Sequence, residues 1–175
     1  DDIFWQPIEA PGNVTVMNSM RYDLSDTSHV SYGFVDTNAG KAYIKHAKYH
    51  GLGGNCGGGL WQCAIIAETS GLGLTLYNTL TLLRNLPFVF YADVNRHLAL
   101  AINASVNCGV PLDWNCTTID ASSTVNGMLS AVVSPTQASL GVGYLGVAYI
   151  GNTDLRYAHL PSGSAGNCGT IDLPM

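Results

Sequence analysis

A tryptophan-led segment recurs three times along this chain, at intervals of roughly fifty residues. The three openings are Trp5-Gln6-Pro7-Ile8, Trp61-Gln62-Cys63-Ala64-Ile65 and Trp114-Asn115-Cys116-Thr117-Thr118-Ile119. Each unit closes in a strand-like run ending in alanine: Ile44-Lys45-His46-Ala47, Leu98-Ala99-Leu100-Ala101 and Leu155-Arg156-Tyr157-Ala158. Two further strand-like runs lie between those anchors, at 19–22 and 29–34, at 74–83 and 87–91, and at 129–133 and 146–150. Alternation such as Leu74-Thr75-Leu76 fits a pleated strand. The same stretch, 72–84, is a poor helix because Thr75, Thr79 and Thr81 follow Gly71 and Gly73. Asp36, Asp93 and Asp154 fall in the turns between runs and are expected to satisfy turn amides.

Four short strands in about fifty residues is the arithmetic of a propeller blade. The expected fold is all-β, with three tandem four-stranded antiparallel propeller-like blades, open at both ends. The repeat units run over residues 1–53, 54–105 and 106–165, and 166–175 supplies a strand of an incomplete fourth.

Each closing alanine leads into a loop: Gly54-Asn55-Cys56-Gly57, Val106-Asn107-Cys108-Gly109 and Gly166-Asn167-Cys168-Gly169. In the first two loops a Trp-x-Cys follows closely, so Cys56 with Cys63 and Cys108 with Cys116 would each staple a hairpin. Unit one has Pro7 where the others have cysteine, and no Asn-Cys-Gly upstream, so both members of that pair are missing together. The rival reading, a zinc site, lacks the usual CxxC or HxxxH spacing. Cys168 is left over, and an odd cysteine points to an intermolecular bond or an unpaired thiol.

With these pieces in place the chain resembles extracellular β-propeller-like tandem repeats. Those repeats carry Ser-Tyr-Tyr-Asp and Leu-Lys-Tyr-Ala strands and an Asn-Cys-Gly…Trp-x-Cys hairpin. The matching pieces are Val30-Ser31-Tyr32, Phe90-Tyr91-Ala92-Asp93, Leu155-Arg156-Tyr157-Ala158 and the two Asn-Cys-Gly loops. The resemblance implies blade architecture; such repeats serve many roles, so it implies no single activity.

Propellers usually have four to eight blades, so three blades are too few for a ring. The chain is then part of a longer polypeptide, half of a two-copy ring of six blades, or a link in an open array. The hairpin staples imply that each tryptophan strand pairs with the strand before it. The strand of Trp5 has no such neighbour, and the last strand, 154–159, lacks its tryptophan strand. The N-terminal strand of one copy would therefore complete the third unit of another, which also covers edges that would otherwise aggregate.

Composition bears on where such a module works. Only 11% of residues are charged, for a net charge of −5, whereas 47% are hydrophobic; a typical domain has about a quarter charged residues. So little charge leaves solubility to glycans or to burial between subunits. Three sequons are present, at Asn13, Asn103 and Asn115. With the paired cysteines they favour an extracellular or cell-surface glycoprotein. Seven basic residues give no footprint for nucleic acid or anionic lipid, and no apolar run reaches membrane-spanning length.

Catalytic patterns are weak, and neither a catalytic residue nor a cofactor or metal is expected. Arg21, Arg84, Arg96 and Arg156 are scattered, and the Ser-x-Asp-x-Gly-x-Thr-Trp box of sialidases is missing. Repeat alignment places Arg156 opposite Lys45 and Ala99, as a strand-surface residue. His29, His46, His50, His97 and His159 lack metal-ligand spacing. Asp113 and Asp120 are the only closely spaced late carboxylates for glycosidase chemistry. Trp5, Trp61 and Trp114 are expected to pack between blades, the alternative being sugar stacking as in a lectin. The leading expectation is a non-enzymatic assembly or surface-interaction module whose partners are other copies of itself; the alternative is a carbohydrate-binding propeller.

Overall fold

A computed structural model describes residues 7–9, 14–70, 76–83, 85–103, 108–110, 114–133, 145–160 and 169–172. Trp5, Asn13, Arg84, Asp113 and Cys168 lie outside the described residues. The architecture is all-β. The strands are β1 (Val14–Tyr22), β2 (Ser28–Asp36), β3 (Lys41–Tyr49), β4 (Trp61–Ser70), β5 (Asn78–Leu83), β6 (Leu86–Ala92), β7 (Leu98–Ile102), β8 (Asn115–Asp120), β9 (Val125–Val133), β10 (Leu145–Gly151), β11 (Asp154–Leu160) and β12 (Gly169–Asp172). The one helical turn among the described residues is a 3-10 segment, Gly57–Gly59.

The strands form three antiparallel sheets in chain order: β1-β2-β3-β4, then β5-β6-β7-β8, then β9-β10-β11-β12. Every sheet is a meander, and the three do not close into a ring. The two described tryptophan strands pair with the strands before them, Tyr49 facing Trp61 and Ala101 facing Cys116. The sheets therefore span 14–70, 78–120 and 125–172, one strand out of phase with units counted from the tryptophans. The first strands of the sheets lie side by side, with β5 packed between β1 and β9.

Alternation decides which residues each sheet buries. In β2, Val30, Tyr32 and Phe34 point to the outer face of the first sheet, where they cluster with Ala47, Trp61 and Cys63. Ala42, Ile44 and Ile66 point the other way and pack against Leu80, Val89, Tyr91 and Trp114. The second sheet repeats the device. Phe88, Phe90, Leu98 and Leu100 use its opposite face to meet Val125, Leu129, Val147 and Tyr149 of the third. The stack is thus held by two apolar layers, the main favourable term in its stability.

One expectation needs correction. The edge of β11 was expected to stand open, but β12 of the same chain covers it, with Tyr157 opposite Ile171 and Ala158 opposite Thr170. The backbone groups of an edge strand take the nearest extended partner, and the Thr-Ile of β12 suits a strand.

Candidate functional site

Both local cysteine pairs are joined, Cys56 to Cys63 and Cys108 to Cys116. The loop around the first shows why its sequence reads Gly-Asn-Cys-Gly. Asn55 uses its side-chain amide as a strand would use its backbone. Its Nδ2 donates to the Cys63 carbonyl at 2.9 Å, and its Oδ1 accepts from the Cys63 N–H at 2.6 Å. A Cβ on Gly54 would collide with the Trp61 carbonyl, and Gly57 takes a left-handed φ of 57°. Both staples sit at equivalent places: the Cys56 N–H donates to the Trp61 carbonyl and the Cys108 N–H to the Trp114 carbonyl, each at 3.1 Å. Each disulfide closes a loop of about eight residues, so its loss should cost roughly 2 kcal/mol. Adding reductant should lower the urea midpoint accordingly; an unmoved midpoint would contradict a stabilising role for the staples.

The segment Pro7–Glu9 is seated against the first sheet. Glu9 accepts from the Tyr32 hydroxyl at 2.6 Å and pairs with the Lys45 ammonium at 2.5 Å. Burial, then the Glu9 carboxylate, raises the Tyr32 phenol far above its usual range, so it stays a donor. Pro7, Ile8 and Glu9 line a cleft of about 340 Å³ with Asn55, Cys56, Gly57 and Gly58. The repeat explains this seat. Counted from the tryptophans, Glu9 corresponds to Ile65; counted from the loop cysteines, Gly58 corresponds to Val110. Ile65 and Val110 form a two-bond bridge between the first sheet and the hairpin loop of the second, at 3.0 and 2.7 Å. By that count Pro7–Glu9 holds the repeat position of residues 63–65 and lies beside the loop at Asn55–Gly58.

Two polar clusters hold the sheets together from within. In the first, the His29 and His46 rings meet at 3.1 Å, Nδ1 to Nε2, and His29 Nε2 reaches Asp23 at 3.4 Å. Both histidines are buried, and the His46 ring lies edge-on to Trp114. Burial pushes His46 down to about 3, aided by the charges of His29 and Lys48. Burial also lowers His29, against the pull of Asp23. Both are neutral near pH 7. The second cluster centres on Asp120, which accepts from Ser122, from the Ser123 and Tyr149 hydroxyls at 2.7 and 2.6 Å, and from Arg156 at 3.1 Å. Burial works to raise the Asp120 carboxyl, but the donors outweigh it and hold it well below the usual range.

These geometries answer several sequence expectations. Arg156 is not a strand-surface residue: its side chain turns inward and pairs with Asp120. Strand alternation sets its direction, since it lies on the face of β11 that carries buried Ala158. Asp120, weighed as a glycosidase carboxylate, is a saturated acceptor joining β8 to the third sheet. Trp114 and Trp61 are both buried, so neither ring is presented to a sugar. Asp36 and Asp93 accept from turn amides as expected, Asp36 from Asn38 and Ala39, Asp93 from Asn95 and His97. Asp154 departs from that expectation: its carboxylate accepts from the Thr153 hydroxyl at 3.4 Å, and Asn152 of the same turn accepts from the N–H and hydroxyl of Thr124, 28 positions away. Among the described residues no three His, Cys, Asp or Glu side chains are grouped to hold a metal. Nor is any helix among them long and apolar enough to cross a membrane. Two sequon asparagines are neighbours: Asn115 opens β8 opposite Ile102, and Asn103 follows Ile102 directly. No protein-family model, curated protein or solved structure matches the chain.

Proposed function

We propose that this protein is a secreted, glycosylated β-repeat module that works by assembling with other copies through exchange of terminal strands. Its three sheets are read as blades of an incomplete propeller. The observation that carries the reading is the seat of Pro7–Glu9. That segment holds the repeat position of a fourth strand and lies beside the hairpin loop of the first sheet, and another copy would supply the strands it joins. The two disulfides and the sequons at Asn13, Asn103 and Asn115 support an extracellular or cell-surface location, and Cys168, the odd cysteine of the sequence, would add a covalent link between copies.

Deleting residues 1–10 tests the exchange. The truncated protein is expected to lose its larger species in light scattering while keeping its strand content by circular dichroism. An assembly of unchanged size after the deletion would count against exchange.

A further inference from the structure

We infer that a cavity between the first and second sheets binds a small hydroxy acid, with its carboxylate on Lys48 and its hydroxyl on His46. The inference does not depend on assembly between copies.

Strand alternation builds one wall of the cavity. Residues two apart on a strand share a face. His29 pairs with Lys48 and Lys48 with Gln62, while His46 pairs with Ala64 two positions along. These side chains therefore leave one face of the first sheet together. The second sheet supplies the other side, with Asn85 between β5 and β6, Asn103 just after β7, and Trp114 just before β8. The enclosed volume is about 200 Å³. Pockets for drug-sized ligands run from roughly 300 to 1,000 Å³, so the occupant is small.

The groups facing this space select its chemistry. The cavity is lined by no Asp or Glu, in a chain that has twelve. The three lysines differ in the same sense. Lys41 pairs with Glu68 and Lys45 with Glu9. Lys48 has no ion pair among the described residues, and it is the lysine on the cavity wall. Asn85 uses its side-chain carbonyl on the Leu24 N–H at 2.9 Å, which leaves its amide hydrogens to donate. A cation and amide donors with no carboxylate nearby suit an anionic acceptor.

The histidines add one acceptor. A carboxylate only accepts, so Asp23 fixes the proton of neutral His29 on Nε2, at 3.4 Å. The bare Nδ1 of His29 then accepts from His46 Nε2–H at 3.1 Å. Neutral His46 is left bare at Nδ1, to which no described residue donates. A buried acceptor without a donor is destabilising, and a ligand hydroxyl supplies the donor. Lys48 lies two residues beyond His46 on the same face, roughly 7 Å along the strand. The adjacent carboxylate and hydroxyl of one small acid reach both side chains across that span.

The experiment titrates the full chain with sodium lactate at constant ionic strength. Tryptophan fluorescence reports, because the Trp114 ring lies edge-on to His46 at 5.2 Å. Acetate, which lacks the hydroxyl, and chloride are run beside it. Lys48→Met removes the cation from the cavity and Lys41→Met removes one elsewhere, with circular dichroism to verify folding. Wild type and Lys41→Met are expected to saturate with lactate, and Lys48→Met to bind it about tenfold more weakly or worse. Acetate is expected to bind more weakly than lactate. No saturable response to lactate, or one that chloride reproduces, would overturn the site, and these wild-type arms decide even if a variant fails to fold. Unchanged lactate affinity in folded Lys48→Met would overturn the role of Lys48, and acetate binding as tight as lactate would overturn the contact with His46.

Discussion

Asp120→Ala should lower the unfolding free energy by roughly 3–5 kcal/mol, the cost of removing one partner from a buried ion pair. Asp120 is buried on β8, at the outer edge of the second sheet, and collects donors from both sides of the boundary. Ser122 and Ser123 approach from its own turn; Tyr149 and Arg156 approach from β10 and β11 of the third sheet. Removing the carboxylate leaves a fully buried phenol and a mostly buried guanidinium without their shared acceptor. Tyr149→Phe should cost less, about 1.5–3 kcal/mol, because it deletes one hydrogen bond to a charged group. Urea denaturation of both variants would check the order. Equal, small losses would mean that the apolar layer between these sheets needs no polar lock.

Acid should weaken the protein well before its carboxylates titrate. His29 and His46 are buried as neutral rings, and burial holds both below the usual histidine value. In the unfolded chain each regains its ordinary value near 6.5 and takes up a proton first. Since the unfolded state then binds more protons, stability falls as pH drops below about 6.5. The loss continues, at up to about 1.4 kcal/mol per pH unit for each histidine, until the folded value is reached; for His46 that is about 3. Asp23 and Asp120 are shifted downward, so their contributions are lost only at lower pH, and the window from 6.5 to 4.5 isolates the histidines. Urea midpoints measured across that window should fall steadily in the wild type and less steeply in His46→Phe. A flat profile in the wild type would show that the ring pair is not buried neutral in solution.

The contrast between these two clusters and the hairpins shows what local pattern can and cannot reveal. Cys56 and Cys63 lie seven positions apart, and the turn between them is written in Gly54, Asn55 and Gly57, so the staple is legible from spacing alone. The strand at 29–34 is legible because its side chains alternate between two buried faces. Asp36 and Asp93 announce themselves by lying in short turns. Arg156 could not be read this way. Its partner Asp120 is 36 positions away in another sheet, and repeat alignment sets Arg156 beside Lys45 and Ala99, which share its strand position but not its neighbour. His29 and His46 meet across 17 positions, on adjacent strands whose register places them diagonally. The periodic histidine signal one might seek, at His46 and His50, concerns the wrong pair. The role of Asn55 as a surrogate strand partner was also hidden, although Asn-Cys-Gly recurs three times and recurrence was the available clue. β12 illustrates a different limit: edge pairing depends on which extended segment arrives, and nothing in Gly169-Thr170-Ile171-Asp172 names β11 as its partner.

The account turns on sheets that find their completion in a neighbouring molecule, and the mass of the native protein addresses it most directly. Light scattering of the full chain, run with and without reductant, should give twice the 18.5 kDa chain mass in non-reducing buffer. A two-copy mass that persists in reductant would place the association in exchanged strands, and one that halves would place it in a Cys168 link. A homogeneous species of one chain mass across the micromolar range would contradict the account.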